Sequence, residues 1–281
     1  MSFIDVLLFG IFPLPWWGYI VVIFVLTHIT ILTVTIYCHR SMTHGALTLN
    51  PVVKHFFRFW LWITTAIITK EWVALHRLHH QKVDSEYDPH SPQNSNIGNV
   101  LLYGDRIYSE AIQDQEMVRR LSHDTPDDWL EKNVYSNKSN FFLIGINNWG
   151  LVNMLLCNLA LFGLMGLLIW IVQMRWIPIF AAGVVNGLGH WPLKNFFKSE
   201  SSFLYKFLSK FLLYRNTETK DHSANIIPWG FLIGGEELHN NHHANATSAR
   251  LSLRWYEIDS GWIVIRLLQL LGLAKVRKKK I

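Results

Sequence analysis

The sequence is poor in charged residues and in cysteine. Only 16% of its 281 residues are Asp, Glu, Lys or Arg, whereas a soluble domain usually carries about 25%. The two cysteines, Cys38 and Cys157, lie in or beside apolar runs and supply no disulfide framework. The sequence also lacks an internal repeat, a low-complexity tract and a secretory cleavage pattern. Together these absences exclude a disordered chain, a collagen-like fibre and a disulfide scaffold.

Apolar and aromatic residues, in contrast, are abundant. Half of the residues are apolar and 14% are aromatic, including 13 Trp. Tryptophan is enriched where a protein meets the membrane–water interface, so the composition indicates an integral membrane protein. Apolar runs at residues 18–37, 151–172 and 177–189 are interpreted as membrane spans. The polar residues 173–176 between the last two predict a turn and therefore a transmembrane hairpin.

Four further segments are distinguished by their composition. Two apolar segments, residues 3–12 and 56–69, are too short for a full span and are expected to be half-length or re-entrant. Residues 105–139 are polar and are expected to be helical. The apolar residues 262–273 precede the basic tail 275–280, a pattern typical of a helix anchored on an anionic membrane surface. A solvated basic tail is the alternative interpretation.

Basic residues predict the orientation in the membrane. No Lys or Arg precedes Arg40, and 25 of the 26 basic residues lie outside the predicted turn at 173–176. The positive-inside rule then places residues 40–148 and 191–281 in the cytoplasm. We therefore predict an all-α integral membrane protein with one domain, residues 1–281, in which a transmembrane helical stem carries a cytoplasmic helical cap. The net charge of +6 fits anionic lipid rather than nucleic acid.

The histidines are the strongest functional signal. Fourteen are present, and nine of them fall into four short motifs: His39 and His44; His76, His79 and His80; His190; and His239, His242 and His243. Positions i, i+3 and i+4 lie near one face of a helix, so each H-x-x-H-H box is expected to converge on one point. The other five are interpreted as ordinary isolated side chains: His28, His55, His90, His123 and His222.

Neutral imidazole is the commonest metal ligand in proteins. The predicted topology puts all four motifs on the cytoplasmic side, provided that residues 56–69 do not cross the membrane. Nine nitrogens exceed what one ion binds, so a dinuclear site is predicted; imidazole alone does not distinguish Zn, Cu, Fe and Ni. Nearby acids are candidates for carboxylates that orient the imidazoles, with solvated loop acids as the alternative: Asp84, Glu86, Asp88, Glu236 and Glu237.

The combination of H-x4-H with two H-x2-H-H boxes resembles the integral-membrane fatty acid desaturases. The contexts Lys70-Glu71-Trp72, Asp88-Pro89-His90 and Gly234–His243 are similar to bacterial delta-9 acyl-lipid and stearoyl-type members. Asn186-Gly-Leu-Gly-His190 matches the Asn-x3-His element of stearoyl-type enzymes. The resemblance implies two iron ions held by the nine histidines and, through water, by Asn186. It implies an O2-dependent enzyme that introduces a cis double bond near carbon 9.

The resemblance also implies partners and a location. The substrate would be a saturated acyl chain on phospholipid, CoA or acyl carrier protein, threaded between residues 56–72 and 149–189. Residues 91–98 lack the basic residues that hold CoA phosphates in animal enzymes, which favours phospholipid. Electrons would come from a separate ferredoxin, rubredoxin or cytochrome b5, with the site and C-terminus facing the cytoplasm of a bacterial inner membrane. Residues 192–213 resemble an insertion and are predicted to form an amphipathic membrane-surface helix.

Two alternatives remain open. A histidine-box membrane hydroxylase of fatty acids or alkanes would share the same di-iron chemistry. A membrane metal transporter would also be rich in histidine, but transporter sites lie near the bilayer midplane on broken helices. The histidines here lie at span ends and in loops, which favours an enzyme.

Overall fold

The computed structural model describes residues 3–136, 148–197 and 199–277. Helices dominate the described residues, with two small two-stranded sheets, so the fold is mostly helical rather than all-α. The helices are α1 (Phe3–Phe9), α2 (Trp16–Thr33), α3 (Pro51–Thr64), α4 (Thr69–Lys82), α5 (Ile97–Ala111), α6 (Gln115–Leu121), α7 (Trp149–Phe162), α8 (Leu164–Trp176), α9 (Phe203–Leu208), α10 (His239–Ala244) and α11 (Ser260–Leu270). The strands are β1 (Leu47–Leu49), β2 (Trp229–Gly230), β3 (Ile258–Asp259) and β4 (Ala274–Val276).

Two continuous helices are long and apolar enough to cross a membrane. Helix α2 continues as a π-helix, Val34–Thr43, to give 28 residues, with a mean hydropathy of 2.4 over an 18-residue window. Helix α8 continues as a π-helix, Ile177–Leu188, to give 25 residues, with a mean hydropathy of 1.7 over such a window. About 20 residues suffice to span the hydrocarbon core. The first helix contains the predicted span at 18–37.

The predicted turn at 173–176 is wrong, because these residues lie within the second long helix. The chain turns instead at Gly163, whose φ is +58° and where a Cβ would lie 2.6 Å from the α1 backbone. Helix α7 is therefore shorter than the predicted span 151–172. Two of the polar residues have partners on other helices: Gln173 accepts a hydrogen bond from Asn158 of α7 (3.0 Å), and Arg175 lies 3.6 Å from Asp105 of α5.

The two short apolar segments form helices below the length of a span. Helix α1 has seven residues, and the chain after it is tied to α7 through the N–H of Ile11, which donates to the carbonyl of Ala160 (3.1 Å). Helix α3 has 14 residues, is capped by Asn50 and buries Phe57 in the main core. Both helices are shorter than a span, and α3 begins and ends five residues before the predicted segment 56–69.

The C-terminal segment is held by strand pairing. Helix α11 ends at Leu270, and β4 then pairs antiparallel with β1, Leu47 opposite Val276. The predicted surface helix over 262–273 is thus shorter than expected, and Lys275 belongs to a strand. The rest of the basic tail from residue 278 lies outside the described residues.

Two other predicted helices are broken into pieces. Residues 192–213 contain a 3₁₀ turn (Leu193–Phe196) and the six-residue α9, so the single amphipathic helix predicted there is wrong. Its ends are held by buried Leu193 and Leu213, and Phe197 packs against the same core, while the other four phenylalanines remain exposed. Within 105–139, helix is confined to the end of α5, to α6 and to a short π-turn, Glu131–Tyr135, and residues 137–139 lie outside the described residues.

Candidate metal centre

The structure brings all nine motif histidines together in two groups. Within each group, one ligand-capable atom from every residue lies within 4.8 Å of the others. Group one contains His39, His44, His76, His80 and His242. Group two contains His79, His190, His239 and His243. Five and four imidazoles in adjacent clusters fit two metal ions better than one.

A π-helix explains how the first motif reaches group one. Residues four apart share a face of an α-helix, whereas a π-helix closes hydrogen bonds between residues five apart. Here the N–H of His44 donates to the carbonyl of His39 (3.2 Å), and the two rings lie 4.8 Å apart between centroids. The local π geometry therefore aligns the H-x4-H motif on one face at the end of a long helix.

Each H-x-x-H-H box contributes to both groups, so the expectation that one box converges on one point is wrong. In α4, His76 and His80 belong to group one and His79 to group two. In α10, His239 and His243 belong to group two, and His242 belongs to group one. On a helix, i and i+4 are separated by about 40° and i+3 lies about 60° to the other side. The two boxes therefore bridge the groups.

The imidazole nitrogens have the spacing of shared ligands. The Nε2 atoms of His39 and His242 are 3.0 Å apart, and those of His190 and His239 are 2.9 Å apart. A metal–nitrogen bond of about 2.1 Å puts two ligands at right angles about 3 Å from each other. Among the described residues, the buried Nε2 atoms of His44, His79 and His243 have no hydrogen-bond partner. These residues fit bound metal.

Burial keeps the imidazoles in the form that binds metal. Burial is the largest cause that lowers the pKa of His76, His80 and His242 well below the usual value, and neighbouring histidines lower it further. The same causes lower the pKa of His44 and His239. Neutral imidazole retains a lone pair for a metal ion.

Four carboxylates contact the Nδ1 atoms of histidines in the two groups. Each contacts the Nδ1 of one histidine: Glu236 with His39 (2.8 Å), Asp88 with His79 (2.9 Å), Asp84 with His190 (3.2 Å) and Asp221 with His243 (2.9 Å). A carboxylate that accepts the Nδ1–H leaves Nε2 free as the metal ligand and raises its basicity. Although burial raises the pKa of Asp84, its hydrogen bond with His190 brings that pKa down to about 2.

Three of these four carboxylates were among the sequence candidates, and two other candidates lie elsewhere. Glu237 accepts the backbone N–H groups of Ile233 (2.8 Å) and Gly235 (3.1 Å), with no bond to an imidazole among the described residues. Glu86 is exposed. Asp221 matches an Asp element of the family but was not among the candidates that orient an imidazole, because it lies 22 residues before its partner histidine and no local spacing links the two.

One histidine interpreted as isolated lies beside the centre. His90 is only 7% exposed, and its ring centroid is 6.2 Å from that of His79. Burial, reinforced by His79, lowers the pKa of His90 to about 4. It is outside the ligand-distance groups. Its burial corrects the interpretation of His90 as an ordinary isolated residue.

Buried polar contacts fix the third box against the end of the first long helix. Arg40, 1% exposed, donates to Asp259 (2.9 and 3.1 Å) and to the carbonyl of Gly234 (2.9 Å). Arg40 also lies 3.7 Å from the carboxylate of Glu236. Arg40, the residue next to His39, therefore holds the loop that carries Glu236, whose carboxylate contacts His39.

A cavity of about 440 Å³ reaches the histidines. His39, His76, His239 and Asn186 are among its lining residues. The walls come from residues 64–72 and 173–186, which fall within the two segments predicted as walls. Gly104 and Tyr108 of α5, and Ile112 just after it, also line the cavity, which the sequence did not indicate. Asn186, 9% exposed, lines the cavity as well.

The fold and site together define a helical, membrane-associated protein with a histidine-rich centre that borders a largely apolar cavity. The family model for fatty acid desaturase matches residues 14–269, and the chain belongs to this family. It is 30% identical over 251 residues to a delta-9 desaturase-like 2 protein of Arabidopsis thaliana (89% of this chain, 73% of the relative). It is 31% identical over 248 residues to an icosanoyl-CoA 5-desaturase of Limnanthes douglasii (87% and 60%).

A bacterial relative extends the comparison. The chain is 29% identical over 248 residues to an sn-1 stearoyl-lipid 9-desaturase of Synechocystis sp., covering 86% of this chain and 66% of the relative. The resemblance inferred from the histidine motifs is thereby confirmed. The protein is an oxidoreductase of lipid metabolism that acts as a fatty acyl desaturase.

Proposed function

We propose that this protein is an O2-dependent desaturase that introduces a cis double bond at the delta-9 position of a saturated acyl chain. The observation that carries the proposal is the cavity lined by histidines of both groups, with His39 and His76 from group one and His239 from group two. A methylene pair bound beside these histidines would lie next to both groups. The relatives named as delta-9 and 9-desaturases support the position of the double bond.

The nine histidines would hold two iron ions, with Asn186 binding through water. When bound, the iron supplies the oxidising chemistry that removes two hydrogens from adjacent methylenes with O2. The protein contributes by keeping the imidazoles neutral and by fixing their Nε2 atoms with carboxylates. No catalytic role is assigned to a residue outside this set. Residues 64–68 and helix α8 position the chain and exclude water from the apolar wall.

A phospholipid is the proposed acyl carrier. Residues 91–98 carry no cation that would hold the CoA phosphates. One relative is named for a stearoyl-lipid substrate, although another is named for an acyl-CoA. The two long apolar helices support an integral membrane location with the histidines and the C-terminus on the cytoplasmic side. A bacterial inner membrane and a separate ferredoxin, rubredoxin or cytochrome b5 complete the proposal.

The test is the fatty acid profile of total lipids from a bacterial host that produces this chain, compared with its His80→Ala variant. We expect a new monounsaturated acid with its double bond at carbon 9, located by derivatisation and mass spectrometry, and its loss in the variant. Metal analysis of the purified protein should give iron. A hydroxylated acid would instead identify the hydroxylase, and metal uptake without a changed lipid profile would identify a transporter.

A further inference from the structure

Glu257 is a buried carboxylate that lies outside both histidine groups. It is 6% exposed, and it forms no ion pair among the described residues. Burying a carboxylate without a counter-ion is costly unless hydrogen bonds compensate. Here five donors meet its two oxygens: the Tyr214 hydroxyl (2.8 Å), the side-chain amides of Asn216 (2.5 Å) and Asn241 (2.9 Å), and the backbone N–H groups of Leu253 (2.6 Å) and Arg254 (2.9 Å). The carboxylate thereby joins the segment 214–216 to α10.

One of these donors belongs to the third histidine box. Asn241 lies in α10 between histidines of the two groups. Its side-chain NH2 donates to Glu257 and to the carbonyl of Leu251 (3.0 Å), and its side-chain oxygen accepts from Asn216 (2.8 Å) and Asn225 (3.0 Å). An amide offers two donors and two acceptor sites, so this side chain is fully satisfied. Helix α10 cannot rotate without breaking these bonds.

A second donor begins the loop that reaches group two. The loop that follows Asn216 carries Asp221, whose carboxylate contacts the Nδ1 of His243 (2.9 Å). The next residue of the loop donates its backbone N–H to Asp84 (2.7 Å), the carboxylate that contacts His190. This loop therefore supports two of the four histidines of group two.

Group one depends less on these contacts. Its member from α10 is His242, and its other four histidines come from the first motif and from α4. The carboxylate of Glu236 lies 3.7 Å from Arg40, which Asp259 holds at 2.9 Å. The two neighbouring acids Glu257 and Asp259 therefore support different groups.

We infer that Glu257 is a positioning residue for the metal ion of group two. It makes no hydrogen bond with a histidine among the described residues, and it acts through Asn241 on α10 and through Asn216 on the loop that carries Asp221. The inference rests on the proposed function, because it requires that the two groups bind iron. Loss of the carboxylate should weaken iron binding about tenfold at group two and by roughly threefold or less at group one.

The experiment places Glu257→Gln in two backgrounds that each retain one iron site. His76→Ala removes a ligand of group one and leaves group two, whereas His243→Ala does the reverse. Glutamine keeps the size of the side chain but presents an NH2 donor where an oxygen accepted. Competition with a chelator, on purified iron-loaded protein in detergent, should show the tenfold weakening in the His76→Ala background alone. Glu218→Gln, an exposed position in the loop after Asn216, is the control and should change neither.

A second variant tests the same link from the other side. Asn216→Ala removes the amide that donates to Glu257 and Asn241 but keeps the backbone N–H that donates to Asn240 (2.9 Å). It should give the same pattern as Glu257→Gln, with iron lost from group two first. This variant also decides the matter if Glu257→Gln does not fold.

Four outcomes would overturn the inference. Equal weakening in both backgrounds would show that Glu257 stabilises the fold as a whole, and no weakening in either would show that its carboxylate positions nothing. Loss of both ions from His76→Ala or His243→Ala would mean that group two has no iron affinity of its own to adjust. A wild-type chain that binds no iron would refute the proposed function itself, which the variants alone cannot do.

Discussion

The two histidine groups differ in how their imidazoles are held. Among the described residues, three of the four histidines of group two contact a carboxylate through Nδ1, and one histidine of group one, His39, makes such a contact. The carboxylate at His39, Glu236, also lies near the guanidinium of Arg40. A carboxylate that accepts Nδ1–H makes the imidazole a stronger ligand. We therefore expect group two to hold a metal ion more tightly than group one.

The largest expected effect comes from removing one ligand of each group. His243→Ala and His76→Ala should each reduce the unsaturated product by roughly two orders of magnitude or more and lower bound iron from about two to about one per chain. Elemental analysis and lipid profiles of the purified variants and their hosts measure both. His123→Ala, which changes an exposed histidine outside the groups, is the control. Loss of both ions in either variant would show that the groups do not bind independently.

Replacing the carboxylates that contact the imidazoles should have a smaller effect on metal binding. These variants test whether the two groups differ in their anionic support. Asp88→Asn and Glu236→Gln each remove an anionic acceptor from one imidazole and should weaken iron binding about 10- to 100-fold, measured by competition with a chelator. Glu237→Gln is the matched control, because its carboxylate accepts backbone N–H groups only. Burial raises the pKa of Glu237 to about 7, so Glu237→Gln mainly replaces one acceptor of a backbone N–H by a donor and removes no carboxylate contact to an imidazole. Equal weakening by Glu236→Gln and Glu237→Gln would contradict the assigned roles.

The centre was more predictable than the membrane-spanning part. The histidine motifs follow helical spacing, so their nine members could be named from the sequence, as could three carboxylates. The assignment of His79 and His80 to different groups could not be predicted from the sequence, because it depends on the position of a second helix. The turn was misplaced because the partners of Gln173 and Arg175 are 15 residues and 70 residues away, at Asn158 and Asp105. Polar residues that indicate a turn locally can be satisfied by distant ones.

The same limit applies to Asp221 and to the segment 192–213. Asp221 acts on His243 through a loop whose path depends on the hydrogen bonds of Asn240 with residues 216 and 217. Residues 192–213 alternate phenylalanine and lysine, a composition that favours an amphipathic helix. Their ends, however, are fixed by Leu193 and Leu213 in a separate core. Non-local packing, rather than propensity, shortens the helix.

The smallest expected effect concerns His90, which lies beside His79 of group two but does not belong to the group. Its pKa is about 4 in the folded chain because burial disfavours the charged form, against about 6.5 when unfolded. The unfolded state therefore binds more protons below pH 6.5, and stability falls as the pH drops from there towards 4. Between pH 7.5 and pH 5 this one group should cost about 2 kcal/mol.

His90→Gln removes this titration and should reduce the fall in Tm between pH 7.5 and pH 5 by about 4–8 °C, measured on the iron-loaded protein by thermal unfolding in detergent. His123→Gln makes the same substitution at an exposed site and should leave the pH dependence unchanged. An unchanged pH dependence in His90→Gln would mean that His90 is charged, or accessible to protons, in the folded state. Group two would then lie beside a cation, and its three carboxylates would serve to balance charge as well as to orient imidazoles.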